Sequence, residues 1–148
     1  MYKIILVATD GSKHSKKAGE HAIEISNLTG ADILVLNVIE TSYLQTLPGD
    51  DLIEKLEEAM KKEGQKAVDD FTKQLEINKC DGACTTINLK TALKLGNPAD
   101  VILKTIEKEN IDLVVMGNSG KHGLDRFLLG SVAEKVLRSA PCPVLVVK

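Results

Sequence analysis

Short unbroken apolar runs punctuate this chain, separated by longer segments in which apolar residues recur every three or four positions. Ile4 to Ala8, Ile33 to Val38, Leu113 to Met116 and Val144 to Val147 are such runs, with Asn37 the single polar residue among them. Runs this short and this apolar predict strands of a parallel sheet covered on both faces. A further strand is expected over 83–89, where Thr85, Ile87 and Leu89 alternate with Cys84, Thr86 and Asn88 in a manner suited to a sheet edge.

Helices are predicted between the strands. Thr9-Asp10-Gly11-Ser12 turns the first strand into a helix reaching Leu28, with Ala18, Ala22 and Ile25 on its core face and Gly30 closing it. Residues 39–49 carry no period and are a candidate lid. Asp50 opens a charged amphipathic helix to Ile77 whose apolar stripe is Leu52, Leu56, Met60, Ala67, Phe71 and Leu75, with Gly64 a point of bending. Asn97 and Pro98 are the cap and first residue of a third helix, which Asn110 ends. Ser131 and Glu134 fit a capping box at the start of a fourth. Pro141 and Pro143 then favour extended backbone into the last strand.

Strands alternating with helices predict an α/β domain: an open, doubly wound, five-stranded parallel sheet with helices on both faces, Rossmann-like, formed by residues 1–148 as one domain. The pattern by itself does not order the strands.

Composition narrows the partners. The chain has 148 residues, 43% of them hydrophobic and 27% charged, values of an ordinary globular protein and not of a disordered one. A net charge of −2 draws it neither to nucleic acid nor to anionic membrane, and two Phe, two Tyr and no Trp offer no platform for stacking bases. Neither nucleic acid nor membrane is expected as a partner. The apolar run at the start is too short for a signal peptide and none spans a bilayer, so a cytoplasmic location is expected. Cys80, Cys84 and Cys142 read as free thiols, since C-x3-C is not a zinc spacing, and His14, His21 and His122 are not placed to form a metal or catalytic trio.

The chemistry concentrates after Met116. Gly117, Gly120 and Gly123 follow at intervals of three, and Gly130-Ser131 then opens a helix. Glycine lets backbone approach a ligand directly, and a helix start offers unpaired N–H groups and the positive end of the helix dipole. The combination points to phosphate or nucleotide binding. Neither a P-loop nor a dinucleotide fingerprint is present. Asp10 is the second residue of interest, because it stands at the carboxyl end of the first strand, where open α/β sheets place ligands; a turn or cap role is its alternative.

The spacing G-x2-G-x9-G-S, filled by Gly117, Gly120, Gly130 and Ser131, resembles the nucleotide-binding branch of the universal stress protein family, as do the start YKIILVATDGS and the end SAPCPVLVV. The resemblance implies strand order 3-2-1-4-5 and an ATP site with Mg²⁺, AMP or ADP being alternatives. It implies a binding set of Ala8, Thr9, Asp10, Val38, Met116, Gly117, Asn118, Gly120, Lys121, Gly130, Ser131 and Val132. In that set the backbone of Val38 meets the adenine ring, Met116 and Gly117 approach from the other side, and the glycine pattern holds ribose and phosphates. Asp10 would accept from adenine or ribose, or help hold Mg²⁺. The implied role is a nucleotide-dependent sensor or switch in stress response, dimerising through Val144 to Val147. Two rivals stand beside it. An ATP hydrolase or phosphotransferase would have to rely on Asp10 and Arg126, with no P-loop lysine and no evident base. A family member without nucleotide, working through protein contacts, draws on Asn118-Ser119, where many members carry a basic or histidine side chain.

Overall fold

The computed structural model describes residues 1–78, 87–119 and 128–148. Cys80, Cys84, Gly120, Lys121, His122, Gly123 and Arg126 lie outside the described residues. Five strands, β1 (Ile4–Ala8), β2 (Asp32–Ile39), β3 (Leu89–Leu95), β4 (Leu113–Gly117) and β5 (Val144–Val147), form one parallel sheet in the order β3-β2-β1-β4-β5. The α/β architecture and the strand order expected above are both present.

Side chains of a strand alternate between faces, and the two cores follow that rule. Ile5, Val7, Ile33, Val35, Leu113 and Val115 face one way, onto α1 (Lys13–Thr29) and α2 (Asp50–Asn78), where Ala18, Ala22, Val68, Phe71 and Leu75 meet them. Leu6, Leu36, Val114 and Met116 face the other way, onto α3 (Pro98–Lys108) and α4 (Ser131–Ser139), where Ile102, Ile106, Ala133 and Val136 complete the layer. The carboxylate of Asp112 joins the starts of β1 and β4, its Oδ2 accepting from the N–H groups of Lys3 at 2.7 Å and Ile4 at 2.9 Å. Those two bonds hold the Asp112 carboxyl below the usual carboxylate range.

Several local expectations are corrected. Of the strand expected over 83–89, residues 83–86 lie outside the described residues; the third strand runs from Leu89 to Leu95 and pairs with β2 from Ile33↔Leu89 to Ile39↔Leu95. Its sequence, LKTALKL, is made of good helix formers apart from Thr91, and pairing along the free edge of β2 overrides that preference. Gly64 does not split α2, which is continuous over 29 residues. A Cβ there would lie 2.9 Å from Leu93 Cδ1 and 3.1 Å from Ile39 Cδ1, so glycine is what lets the helix rest on β2 and β3. Leu52 is exposed and Val68 fully buried, so the buried stripe of α2 belongs to its second half.

Candidate functional site

The order β2-β1-β4 sets up the site, because the chain leaves β1 toward β2 on one side and returns through β4 on the other, opening a crevice at their carboxyl ends. β1 stops at Ala8 whereas β2 continues to Ile39. The last bond of that ladder runs from Thr9 N–H to the Leu36 carbonyl at 2.9 Å. Successive residues of a strand direct their N–H and C=O to opposite neighbours. Ile39 accordingly turns toward β3, accepting from Gly96 N–H at 2.9 Å, and Val38 turns toward the β1 side, past its end. Its donor and acceptor meet no partner among the described residues.

Asp10 follows directly. Its Oδ1 accepts from Ser12 N–H at 2.9 Å, and Ser12 in turn caps α1 by accepting from Ser15 N–H at 3.3 Å. The turn role of Asp10 is therefore real, and among the described residues it occupies one carboxylate oxygen only. Thr9 is buried, its hydroxyl bonded to that of Ser15 at 3.1 Å.

At the end of β4, Asn118 N–H donates to the Val147 carbonyl at 2.9 Å, while the Asn118 carbonyl accepts from Gly130 N–H at 2.7 Å. That second bond brings the start of α4 back beside the strand it left. A Cβ on Gly130 would lie 3.1 Å from the Asn118 carbonyl oxygen, and one on Gly117 would lie 2.7 Å from His14 Cβ and 2.9 Å from its carbonyl carbon. Both glycines thus serve close backbone packing, a role the sequence reading had not assigned them.

The capping box expected of Ser131 and Glu134 does not form. Gly130 is the N-cap and lacks a side chain to accept with; Ser131 is the first helical residue, and Glu134 pairs instead with Arg138 at 3.1 Å. Glu134 N–H closes the first turn on the Gly130 carbonyl at 2.8 Å. The N–H groups of Ser131, Val132 and Ala133 have no partner among the described residues, so the positive end of the α4 dipole is left open.

These features share one cleft of about 350 Å³. Ala8, Thr9, Asp10, Val38, Met116, Gly117, Asn118, Gly130, Ser131 and Val132 all line it; Gly120 and Lys121, the remaining two expected residues, lie outside the described residues. The sequence reading missed Ser15, Leu36, Glu40, Pro98, Ile102, Ser119 and Ala133, which also line it. Of the candidate lid 39–49, only Glu40 reaches the cleft; the 3-10 turn Ser42–Thr46 packs against α2 instead. Among the described lining residues, Asp10 and Glu40 carry charge and no lysine or arginine does. The Asn118 Oδ1 is buried with no hydrogen-bond partner among the described residues, an acceptor or, with the amide turned, a donor that none of them engages. No cluster of three metal-ligating side chains exists among the described residues. Cys142 is a half-buried free thiol whose pKa burial pushes up, and it stands apart from the cleft.

The model of the universal stress protein family matches residues 1–148. The chain belongs to the universal stress protein family. A universal stress protein of Methanocaldococcus jannaschii is 40% identical over 148 residues, covering 100% of this chain and 83% of the relative. The solved universal stress protein UspA of Lactobacillus plantarum superposes with a TM-score of 0.85 at 28% identity, covering 99% of this chain and 98% of that one. A universal stress protein family member of Arabidopsis thaliana, solved with AMP bound, shares the fold at a TM-score of 0.67 and 21% identity, covering 99% of this chain and 91% of that one. Among the described residues of this universal stress protein, no helix is long and apolar enough to cross a membrane.

Proposed function

We propose that this universal stress protein binds ATP in the cleft at the carboxyl ends of β1 and β4 and acts as a nucleotide-dependent switch in stress response. The observation that carries the reading is the pairing of two unsatisfied backbone sets in one cleft: the donor and acceptor of Val38 at one end, and the first-turn N–H groups of α4 at the other. Adenine presents an acceptor at N1 beside a donor at its amine, the complement of the Val38 N–H and C=O. Guanine presents the reverse pair and would set donor against donor. Met116, Ile102 and Val132 supply apolar surface for the ring, and the α4 N-terminus suits the phosphates.

The donor set also fits Mg²⁺. That ion takes one or two carboxylates together with phosphate oxygens and water, and Asp10 keeps one carboxylate oxygen without a partner among the described residues. Bound there, Mg²⁺ would offset phosphate charge next to a wall whose described residues carry only acids. The same wall supports AMP as a second reading, since fewer phosphate charges need fewer cations, and the AMP-bound relative of the same fold agrees with it. As part of this reading, residues 1–148 act as one cytoplasmic domain that dimerises through β5.

Heat denaturation of purified protein, followed by chromatography of any released nucleotide, tests the reading. Co-purified ATP or AMP, or a melting temperature that rises with added ATP and not GTP, supports it. Neither signal at millimolar nucleotide refutes it in favour of a role through protein contacts.

A further inference from the structure

Among the described lining residues, Glu40 is the charged one that the glycine pattern and strand ends do not account for. It stands two positions after Val38, one past the end of β2, and lines the cleft together with Val38, Pro98 and Ile102. One carboxylate oxygen accepts from the Ser42 hydroxyl. The other has no hydrogen bond, and no lysine, arginine or histidine forms an ion pair with Glu40 among the described residues. An anion anchored on one side, free on the other and lining the same cleft as the unpaired Val38 carbonyl is a place for a ligand N–H.

We propose that Glu40 is a specificity-determining residue that reads the exocyclic amine of the base. This rests on the adenine-nucleotide reading above and deepens it. An adenine amine has two N–H bonds: the Val38 carbonyl takes one and the free oxygen of Glu40 takes the other. A 6-oxo purine would turn a carbonyl oxygen toward that carboxylate, an acceptor against an anion with no proton between them. The backbone of Val38 thus selects the ring edge, and Glu40 sharpens the choice of amine over oxygen. The rival is that Glu40 is a solvated carboxylate whose task is to anchor Ser42 at the start of the 3-10 turn.

Calorimetric titration of the full chain and of Glu40→Ala and Glu40→Gln with three triphosphates separates these. The probes are ATP, ITP, and the triphosphate of unsubstituted purine riboside, which has neither amine nor oxygen at that position. Glu40→Ala is expected to weaken ATP about tenfold, the loss of one hydrogen bond to a charged group, and to leave the unsubstituted purine unchanged. Glu40→Gln is expected to bind ITP more tightly than the unaltered protein does, because its amide donates to the oxygen. Parallel loss for ATP and the unsubstituted purine, or no loss for either, overturns the proposal while leaving nucleotide binding intact. An unaltered protein that binds none of the three overturns both readings together. Equal melting temperatures without ligand establish that the variants fold.

Discussion

Gly130 N–H donates to the Asn118 carbonyl at 2.7 Å, so the first turn of α4 is tied to the end of β4. The bond brings the chain back beside β4 and places the first turn of α4, with its open N–H groups, in the lining of the cleft. Ser131 is the first side chain past that tie. Because it caps nothing, Ser131→Asp should leave stability equal or raise it by about 0.3–1 kcal/mol through the helix dipole, while its charge opposes a bound phosphate. Unfolding in urea and ATP titration check the two halves. Unchanged ATP affinity would place the phosphates away from the α4 N-terminus.

Gly117 makes a different demand. A methyl group there meets backbone atoms of His14, which cannot rotate away, so Gly117→Ala must displace α1 from β4. Overpacking of this kind typically costs about 1–3 kcal/mol. Shortening His14 to Ala should not restore stability, because the clash is with Cβ and the carbonyl carbon. Chemical denaturation of the single and double variants decides it, and rescue by His14→Ala would mean that the imidazole, not the helix backbone, sets the spacing.

How much of this could be read beforehand depends on where each residue gets its role. Asp10, Gly117 and Gly130 were legible because strand ends and glycine spacing are local signals. Ser131 was legible as a helix start but misread as a cap, since Ser-x-x-Glu is equally well formed one position away from where the helix begins. Glu40, Pro98 and Ile102 escaped because they join the cleft through the register of β2 and the docking of α3, which no local pattern encodes. The extent of the third strand escaped for the same reason: LKTALKL is a strand because β2 offers it an edge.

Asp112 gives a pH signature. Its carboxylate is stabilised in the fold by two N–H donors, so its folded pKa lies below the ordinary 3.8. A depressed acid contributes stability that is fully present above the unfolded pKa and is lost as pH falls through the folded one. Asp112→Asn should therefore melt lower than the unaltered protein at pH 7, and the gap should narrow as pH falls below 3.8. Melting curves above and below that pH suffice; a gap that persists in acid would assign the effect to shape and not to charge.

Turnover distinguishes a switch from a catalyst. Among the described lining residues there is no lysine to contact a transferring phosphoryl group, and Asp10 Oδ1 is already bound to Ser12 N–H. Purified protein should release phosphate from ATP far more slowly than the roughly 1–100 per second of kinases. Release at such rates, abolished by Asp10→Asn, would make the protein an enzyme.

The β5 edge bears on assembly. Val114 N–H donates to the Pro143 carbonyl and Asn118 N–H to the Val147 carbonyl, which assigns the odd-numbered positions of β5 to β4. By alternation, the N–H and C=O groups of Val144 and Val146 face outward, along a strand with no charged side chain before Lys148. An apolar edge with free donors and acceptors pairs readily, and a twofold partner adding its own β5 antiparallel would satisfy both rows at once. Proline offers a clean probe. Val146→Pro removes an outward N–H and places its ring where the partner strand would lie, yet leaves every bond from β5 to β4 in place. Light scattering after size exclusion should report twice the chain mass for the unaltered protein at micromolar concentration and a single chain mass for the variant, with circular dichroism unchanged. A variant that stays dimeric would put the interface on another surface, and an unaltered protein that runs as a monomer would mean that this edge stays open in solution.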